Sequence, residues 1–201
     1  MTEEVLIVFV KNPEIGKVKT RLAKSIGDAN ALAIYLLLLN HCFELTEAIK
    51  QDVVIYYNKF IDSEDQWSNS SYKKFLQKGD DLGSKMSNAL SEQLNLGYKK
   101  ACLVGSDIYD LDASIIYDSF EILDKKDIVI GPAVDGGYYL IGLKQPREDI
   151  FKISNWSTSS VFKDTTDIVS DLNLTFGVTE ILNDIDTIDD LRKTDLIKKI
   201  S

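Results

Sequence analysis

Only three prolines, two cysteines and a single histidine occur among the 201 residues, and each scarcity closes off a class of protein. Cys42 and Cys102 sit inside apolar runs (NHCFEL and KKACLVG), which suits buried free thiols in a reducing cytosol and neither a disulfide scaffold nor a metal pair. His41 lies in a helical stretch with no Cys or His partner nearby, so it reads as structural, and a zinc site and a Ser-His-Asp set are both excluded. The apolar run Ala31–Leu39 is nine residues long, too short to cross a bilayer. Basic charge is in deficit: a formal net charge of −9 argues against a broad nucleic-acid or anionic-membrane surface. Glu3 and Glu4 occupy the place where a secretory signal carries basic residues, so a cytoplasmic location is expected.

What is present suits one domain over residues 1–201, with 44% hydrophobic content and no repeat, low-complexity tract or linker. Short β-branched or aromatic runs predict strands at Val5–Val10, Asp52–Tyr57, Ala101–Gly105, Asp127–Ala133, Tyr138–Leu143 and Leu174–Val178. Helical spacing falls between them: Asp28–Lys50, Ser84–Tyr98 with Ser84 as N-cap, about Asp112 to Leu123, a stretch after Ser157–Ser160, and Thr187–Lys199 with Thr187 and Asp190 in capping-box spacing. The polar segment Ile61–Lys74 reads as a surface loop leading into a short helix. Repeated strand–helix–strand units imply a largely parallel sheet with helices on both faces, and the Asp135-Gly136-Gly137 turn adds an antiparallel element.

In an open parallel sheet, ligands sit beyond the C-terminal ends of the strands. Three chemically loaded segments fall there. The first, Lys11–Lys24, holds five cations (Lys11, Lys17, Lys19, Arg21, Lys24) and one acid, a local balance of +4 on an acidic chain. A Pro/Gly loop carrying Lys and Arg can hold phosphate; the plain alternative is a solvated basic loop. The second is Ser106-Asp107, where a strand-end carboxylate can ligate Mg²⁺ or Mn²⁺ bridging nucleotide phosphates. Asp112 is better placed to cap the following helix, which leaves Asp107 free for a ligand. The third is the Asp135-Gly136-Gly137 turn, readable as a tight hairpin or as a close approach for a substrate whose hydroxyls Asp135 accepts.

Further along, Asp189 and Asp190 suit a first helical turn, whereas Asp184 and Asp186 alternate before the cap and share one face. Asp186 is taken as the second metal ligand. In Gln77–Met86, Gly79 and Gly83 frame an acidic loop holding Asp81, which offers a base or ribose contact or simply a turn with an N-cap. Trp156 offers a stacking surface for a sugar or base, or a core contact.

The segments FVKNPEIGKVKTRLAKSIG, QKGDDLGSKM, LVGSDIYDL, IVIGPAVDGGYYLIGL, NWSTSSV and NDIDTIDDL run from Phe9 to Leu191. In that order they resemble the nucleotide-diphospho-sugar transferase superfamily with the Rossmann-like GT-A fold, and more narrowly its bacterial glycosyltransferase branch associated with radical-SAM and selenium genes. The resemblance implies that Gly16, Lys17, Lys19, Thr20 and Arg21 line a nucleotide phosphate site, with Lys11, Ser106, Gly79 and Asp81 also toward the nucleotide. It implies Lys19, Arg21 and Asp107 as catalytic residues, Asp107 and Asp186 as ligands of Mg²⁺ or Mn²⁺, and Asp135, Gly136, Gly137 and Trp156 toward the acceptor or sugar. The departure is Tyr109, where the family pattern carries proline.

Three functions follow as expectations. The leading one is glycosyl transfer from a nucleotide sugar to a small acceptor. The K-T-R loop also resembles that of small guanylyltransferases, so nucleotidyl transfer from a nucleoside triphosphate to a phosphorylated acceptor is the alternative. A nucleotide-sensing domain without catalysis is the third, and the metal-type carboxylates count against it.

Overall fold

A computed structural model describes residues 2–68, 72–156 and 158–199; residues 69–71 and 157, which fall in two of the expected loops, lie outside the described residues. The apolar runs form strands β1 (Glu4–Val10), β2 (Asp52–Tyr57), β3 (Lys73–Leu76), β4 (Lys100–Gly105), β5 (Ile128–Pro132), β6 (Tyr138–Leu143) and β7 (Phe176–Val178). They make one seven-stranded sheet in the order β3-β2-β1-β4-β6-β5-β7. Only β6 runs against its neighbours; β1, β2, β3 and β4 are parallel, as are β5 and β7. The register places Phe9 beside Gly105 and Val10 beside Tyr57. The loops that leave β1, β2 and β4 therefore emerge together at one edge of the sheet.

Helices α1 (Thr20–Ile26), α2 (Asp28–Ala48), α3 (Leu82–Asn95), α4 (Ala113–Lys125), α5 (Val161–Asp171) and α6 (Ile188–Arg192) cover both faces. Alternating side chains of each strand feed two cores. Leu6, Val8 and Val10 of β1 pack with α2 and α4, whereas Val5 and Ile7 pack with α3 and α5. By length and composition α2 is apolar enough to cross a membrane, but here Tyr35, Leu39 and Cys42 pack it on the sheet. A small third core joins Leu22 of α1 and Ile34 and Leu38 of α2 to Ile185, Leu191 and Leu196 of the C-terminal segment. Burying a leucine of this kind contributes about 1.5–3 kcal/mol. The cluster thus fastens the Asp184–Asp186 stretch beside the helix that carries Arg21.

Several expectations shift. Over its described residues the segment 61–74 begins as the expected loop, with Ile61, Ser63, Glu64 and Ser68 exposed, but it is anchored by Trp67, which is fully buried and donates from Nε1 to Thr46 Oγ1 at 3.0 Å, and it ends in strand β3 instead of a helix. Part of the basic loop is helical, as α1. Asp81 rather than Ser84 is the N-cap of α3, with Ser84 completing the capping box. The C-terminal helix is broken into α6 and a 3₁₀ turn at Asp195–Lys199. Asp112 caps α4 as expected, accepting from the backbone of Ser114 and Ile115.

Thr187 and Asp190 form the expected capping box at α6. Burial would raise the Asp190 carboxyl, but hydrogen bonds from Thr187 and Asn183 outweigh it and hold the pKa at about 2. A carboxyl lowered in the folded state stabilises above its ordinary value of 3.8, and that stability is lost as pH falls toward 2. Thr187→Ala is therefore expected to cost about 1 kcal/mol at pH 7. The gap from wild type should narrow at pH 3. Urea unfolding at the two pH values checks it; an equal gap at both would remove Asp190 from the account.

Candidate active site

The loop after β1 is pinned before it reaches its charged residues. Buried Asn12 donates from its backbone N–H to Asn58 Oδ1 (2.8 Å), and its own Oδ1 accepts from the backbone N–H groups of Lys59 and Phe60. The Tyr35 hydroxyl accepts from Lys11 N–H (3.0 Å), donates to Lys11 C=O (2.9 Å) and lies 3.3 Å from Ser106 Oγ. Tyr35 thus ties the end of β1 to the end of β4. Gly16 turns the loop at φ 69°, and Lys19 enters α1 in the left-handed region at φ 47°, a strained conformation for a residue with a Cβ. That turn carries the Lys19 side chain inward to 3% exposure, with Nζ 2.9 Å from Asp107 Oδ2.

Around this pair lies a cleft of about 680 Å³ at the C-terminal edge of the sheet. Lys11, Arg21, Ser106, Asp107, Asp135, Gly137, Trp156 and Asp186, all singled out above from the sequence, line it. Arg21 Nη1 pairs with Asp186 Oδ2 at 3.0 Å. Burial alone would raise the Asp107 carboxyl, yet the charge and hydrogen bond of Lys19, helped by Lys11, hold it below the ordinary range. Asp184 behaves oppositely. Burial, with the nearby charges of Asp107 and Asp135, pushes it up to about 6 despite Lys19. Asp107 is paired with Lys19 and Asp186 with Arg21, and Asp184, which feels the charge of both acids, makes no ion pair among the described residues.

Lys17, Thr20, Gly79, Asp81 and Gly136 stand outside the cleft wall. Lys17 is exposed in a turn onto Glu14, and Thr20 is exposed at the start of α1. Asp81 is committed to its cap, and Gly79 makes room for it: a Cβ there would lie 2.5 Å from Ser84 Oγ. Gly136 has a packing reason, since a Cβ would lie 2.0 Å from Ser159 O. Asp135 Oδ1 accepts from Gly137 N–H at 2.9 Å, which makes the turn self-contained. Trp156 does not offer an open stacking face. Its indole lies against Gly83, where a Cβ would come within 2.3 Å, and meets the rings of Tyr138 and Phe151. The indole Nε1 is buried without a hydrogen-bond partner.

Sequence reasoning passed over Tyr35, Asn58, Gln77 and Lys85, all in the cleft wall. Tyr35 looked like one more apolar residue of a core helix. Lys85 was legible in principle, as a cation in the first turns of a helix that starts at the ligand edge of the sheet. The family proline position, Tyr109, reaches out of the loop to Asp195 (2.7 Å) and meets the His41 ring, so it braces the loop against the C-terminal segment.

The donor set fits a hard divalent cation in one respect: Asp107 and Asp184 present crowded carboxylates that such an ion relieves. Among the described residues no set of three His, Cys, Asp or Glu ligands is assembled. The remaining positions would fall to phosphate oxygens and water, which suits Mg²⁺.

Comparison with known proteins accords with this geometry. Residues 40–158 match the family model described as "Uncharacterized protein conserved in bacteria (DUF2064)". A protein of Desulfovibrio desulfuricans G20, provisionally named a nucleotide-diphospho-sugar transferase, superposes with a TM-score of 0.89 at 31% identity, over 95% of this chain and 85% of that one. The inositol-1-phosphate CTP transferase of T. maritima superposes with a TM-score of 0.59 at 14% identity, covering 99% and 94%. A Mycobacterium tuberculosis H37Rv protein in complex with manganese gives 0.58 at 11% identity, covering 96% and 97%. The last two likenesses speak for the fold alone. No curated protein matches the sequence. The fold is the Rossmann-like GT-A type expected from the sequence.

Proposed function

The chain belongs to the DUF2064 family, and from that premise and the charge layout of its cleft we propose that it is a metal-assisted transferase acting on a nucleotide. The observation that carries this reading is the meeting of Lys11, Lys19 and Arg21 with Asp107, Asp184 and Asp186 where β1 and β4 end side by side. Lys11 and Arg21 line the cleft and hold the phosphates; Asp186 steadies the Arg21 guanidinium. Lys19 keeps Asp107 ionised and aimed, and Asp107 with Asp184 would hold Mg²⁺ or Mn²⁺. The bound cation supplies charge neutralisation at the phosphates.

Nucleotidyl transfer is the reaction this arrangement favours. An acceptor oxygen bonds to the α-phosphorus of a nucleoside triphosphate, the bond from that phosphorus to the bridging oxygen breaks, and pyrophosphate leaves with the electron pair. Cations already fixed in place offset the charge that develops on the leaving group. The features that favoured a sugar have packing reasons here: the indole of Trp156 is stacked away and Gly136 is filled by Ser159. Glycosyl transfer is the second reading. It is supported by the 31% identical relative's name and by Asp135, whose Oδ2 is left for a hydroxyl.

Calorimetry with Mn²⁺ separates them. The triphosphate is expected to bind more tightly than the matching nucleotide sugar, and the Lys11→Ala/Arg21→Ala double variant should weaken it at least tenfold, about 1.4 kcal/mol. Exposed charges contribute about 0–1 kcal/mol, so a smaller loss returns the loop to solvated surface. A preference for the nucleotide sugar selects glycosyl transfer.

A further inference from the structure

One cleft residue has no part in the phosphate site just described. Lys85 lies in the first turns of α3, half-buried, and among the described residues its ammonium makes no hydrogen bond or ion pair. The other cleft cations lie across the sheet edge. Lys11 follows the end of β1, and Arg21 belongs to α1, which packs on α2; α2 and α3 cover opposite faces of the sheet. Arg21 already has Asp186 as a partner, and Lys19, the N-cap of α1 behind the cleft wall, has Asp107. Asp81, four residues before Lys85 at the exposed N-cap of α3, feels the charge of this ammonium, but its carboxylate is committed to Ser84 and makes no ion pair with it. An ammonium kept partly out of water without a paired counter-ion is unfavourable, so its place in a ligand cleft calls for an anion.

The surroundings of Lys85 point the same way. Trp156 packs over Gly83, two residues before Lys85, and its buried Nε1–H has no acceptor. The hydroxyls of Thr158 and Ser159 complete that wall, which Leu82 and Met86 make otherwise apolar. Thr158 Oγ1 is hydrogen-bonded to Asn155 O and Ser160 Oγ and Trp156 Nε1 is enclosed, so Lys85 and Ser159 are the donors this wall presents, and no carboxylate lines it. Hydroxyls accept as well as donate, but the one formal charge in this wall is the Lys85 ammonium, and its hydrogen bond to a phosphate or carboxylate is about twice as strong as one to a neutral hydroxyl.

We infer that the second ligand of this cleft is anionic, and that Lys85 binds its phosphate or carboxylate group at the α3 wall. The inference rests on the nucleotide reading, because it treats the Lys11–Arg21 side as filled by the nucleotide's own phosphates. It names the acceptor's chemical class and a specificity-determining residue.

The test uses wild-type protein saturated with Mg²⁺ and a non-hydrolysable triphosphate, titrated by calorimetry with inorganic phosphate and, separately, with acetate. Saturable binding of one of them is expected, and the tighter one identifies the acceptor's charged group. Lys85→Met should weaken that binding at least tenfold and Lys85→Arg should restore it, with triphosphate affinity changed less than threefold in both. Tryptophan fluorescence, compared with Trp156→Phe, should report the same titration. The inference is overturned if neither anion binds saturably, if Lys85→Met leaves the titration unchanged, or if that variant weakens the triphosphate itself tenfold. If the protein binds no nucleotide, the titration is run without it. Lys85-dependent anion binding would then stand while the nucleotide reading falls.

Discussion

Asp107→Asn is expected to remove metal-dependent nucleotide binding by at least 100-fold, about 2.8 kcal/mol, and to destabilise the protein as well. A strand-end carboxylate left free for a ligand is ordinarily dispensable to the fold. The structure changes that expectation, because the partner of Asp107 is a lysine whose side chain is only 3% exposed. Removing one member of a buried pair leaves an uncompensated charge, which costs about 3–5 kcal/mol when the pair is fully enclosed. Here Asp107 is itself 36% exposed and Asp184 lies close enough to share the Lys19 charge, so a loss of about 2–3 kcal/mol is the better figure. For a chain of this size that lowers Tm by roughly 4–12 °C. Adding Lys19→Met should restore most of the stability and none of the binding. Thermal melts and calorimetry on the single and double variants test both halves. Full binding in a folded Asp107→Asn protein would sink the metal assignment, and an unshifted Tm would sink the buried-pair account.

That pair shows why the site was only half legible. The strand ends could be found because apolar runs such as VLIVFV and ACLVG stop abruptly at charged residues, a local pattern. Lys19 and Asp107 are 88 residues apart, and Arg21 and Asp186 are 165 apart. Which cation meets which carboxylate depends on the order of strands in the sheet and on the small core joining α1 to the C-terminal segment. No local pattern carries that. Asp184 and Asp186 were indistinguishable by alternation alone; the docking of Ile185 into that core turns one toward Asp107 and the other toward Arg21. The missed elements were short or weakly patterned. Strand β3 is an edge of four residues, KKFL, with two lysines, and α1 is only seven residues, TRLAKSI, with Leu22 its buried residue.

The segment 61–74 was misread in part for a related reason, and it supports the second large effect. Eleven of its fourteen residues are polar or charged side chains, but several of them satisfy one another out of water. Lys74 Nζ sits 2.6 Å from Asp65 Oδ1 and 2.6 Å from Asp62 C=O, above the ring of Tyr57. Asp65 also accepts from the Tyr57 hydroxyl and from Trp67 N–H at 3.0 Å. Lys74 and Asp65 side chains are 12% and 10% exposed, so solvent screens the pair little. Asp65→Ala strands the ammonium, orphans the tyrosine hydroxyl and frees the backbone that seats the buried Trp67. The expected loss is about 3–5 kcal/mol. In Tm it is roughly 6–20 °C, with nucleotide affinity unchanged because none of these groups lines the cleft. Replacing both partners, as Asp65→Leu/Lys74→Met, should recover much of the loss, since no charge is then left unpaired. A double variant less stable than Asp65→Ala would show that the segment is held by the geometry of its hydrogen bonds to Tyr57 and Trp67, and not by the cancellation of charge.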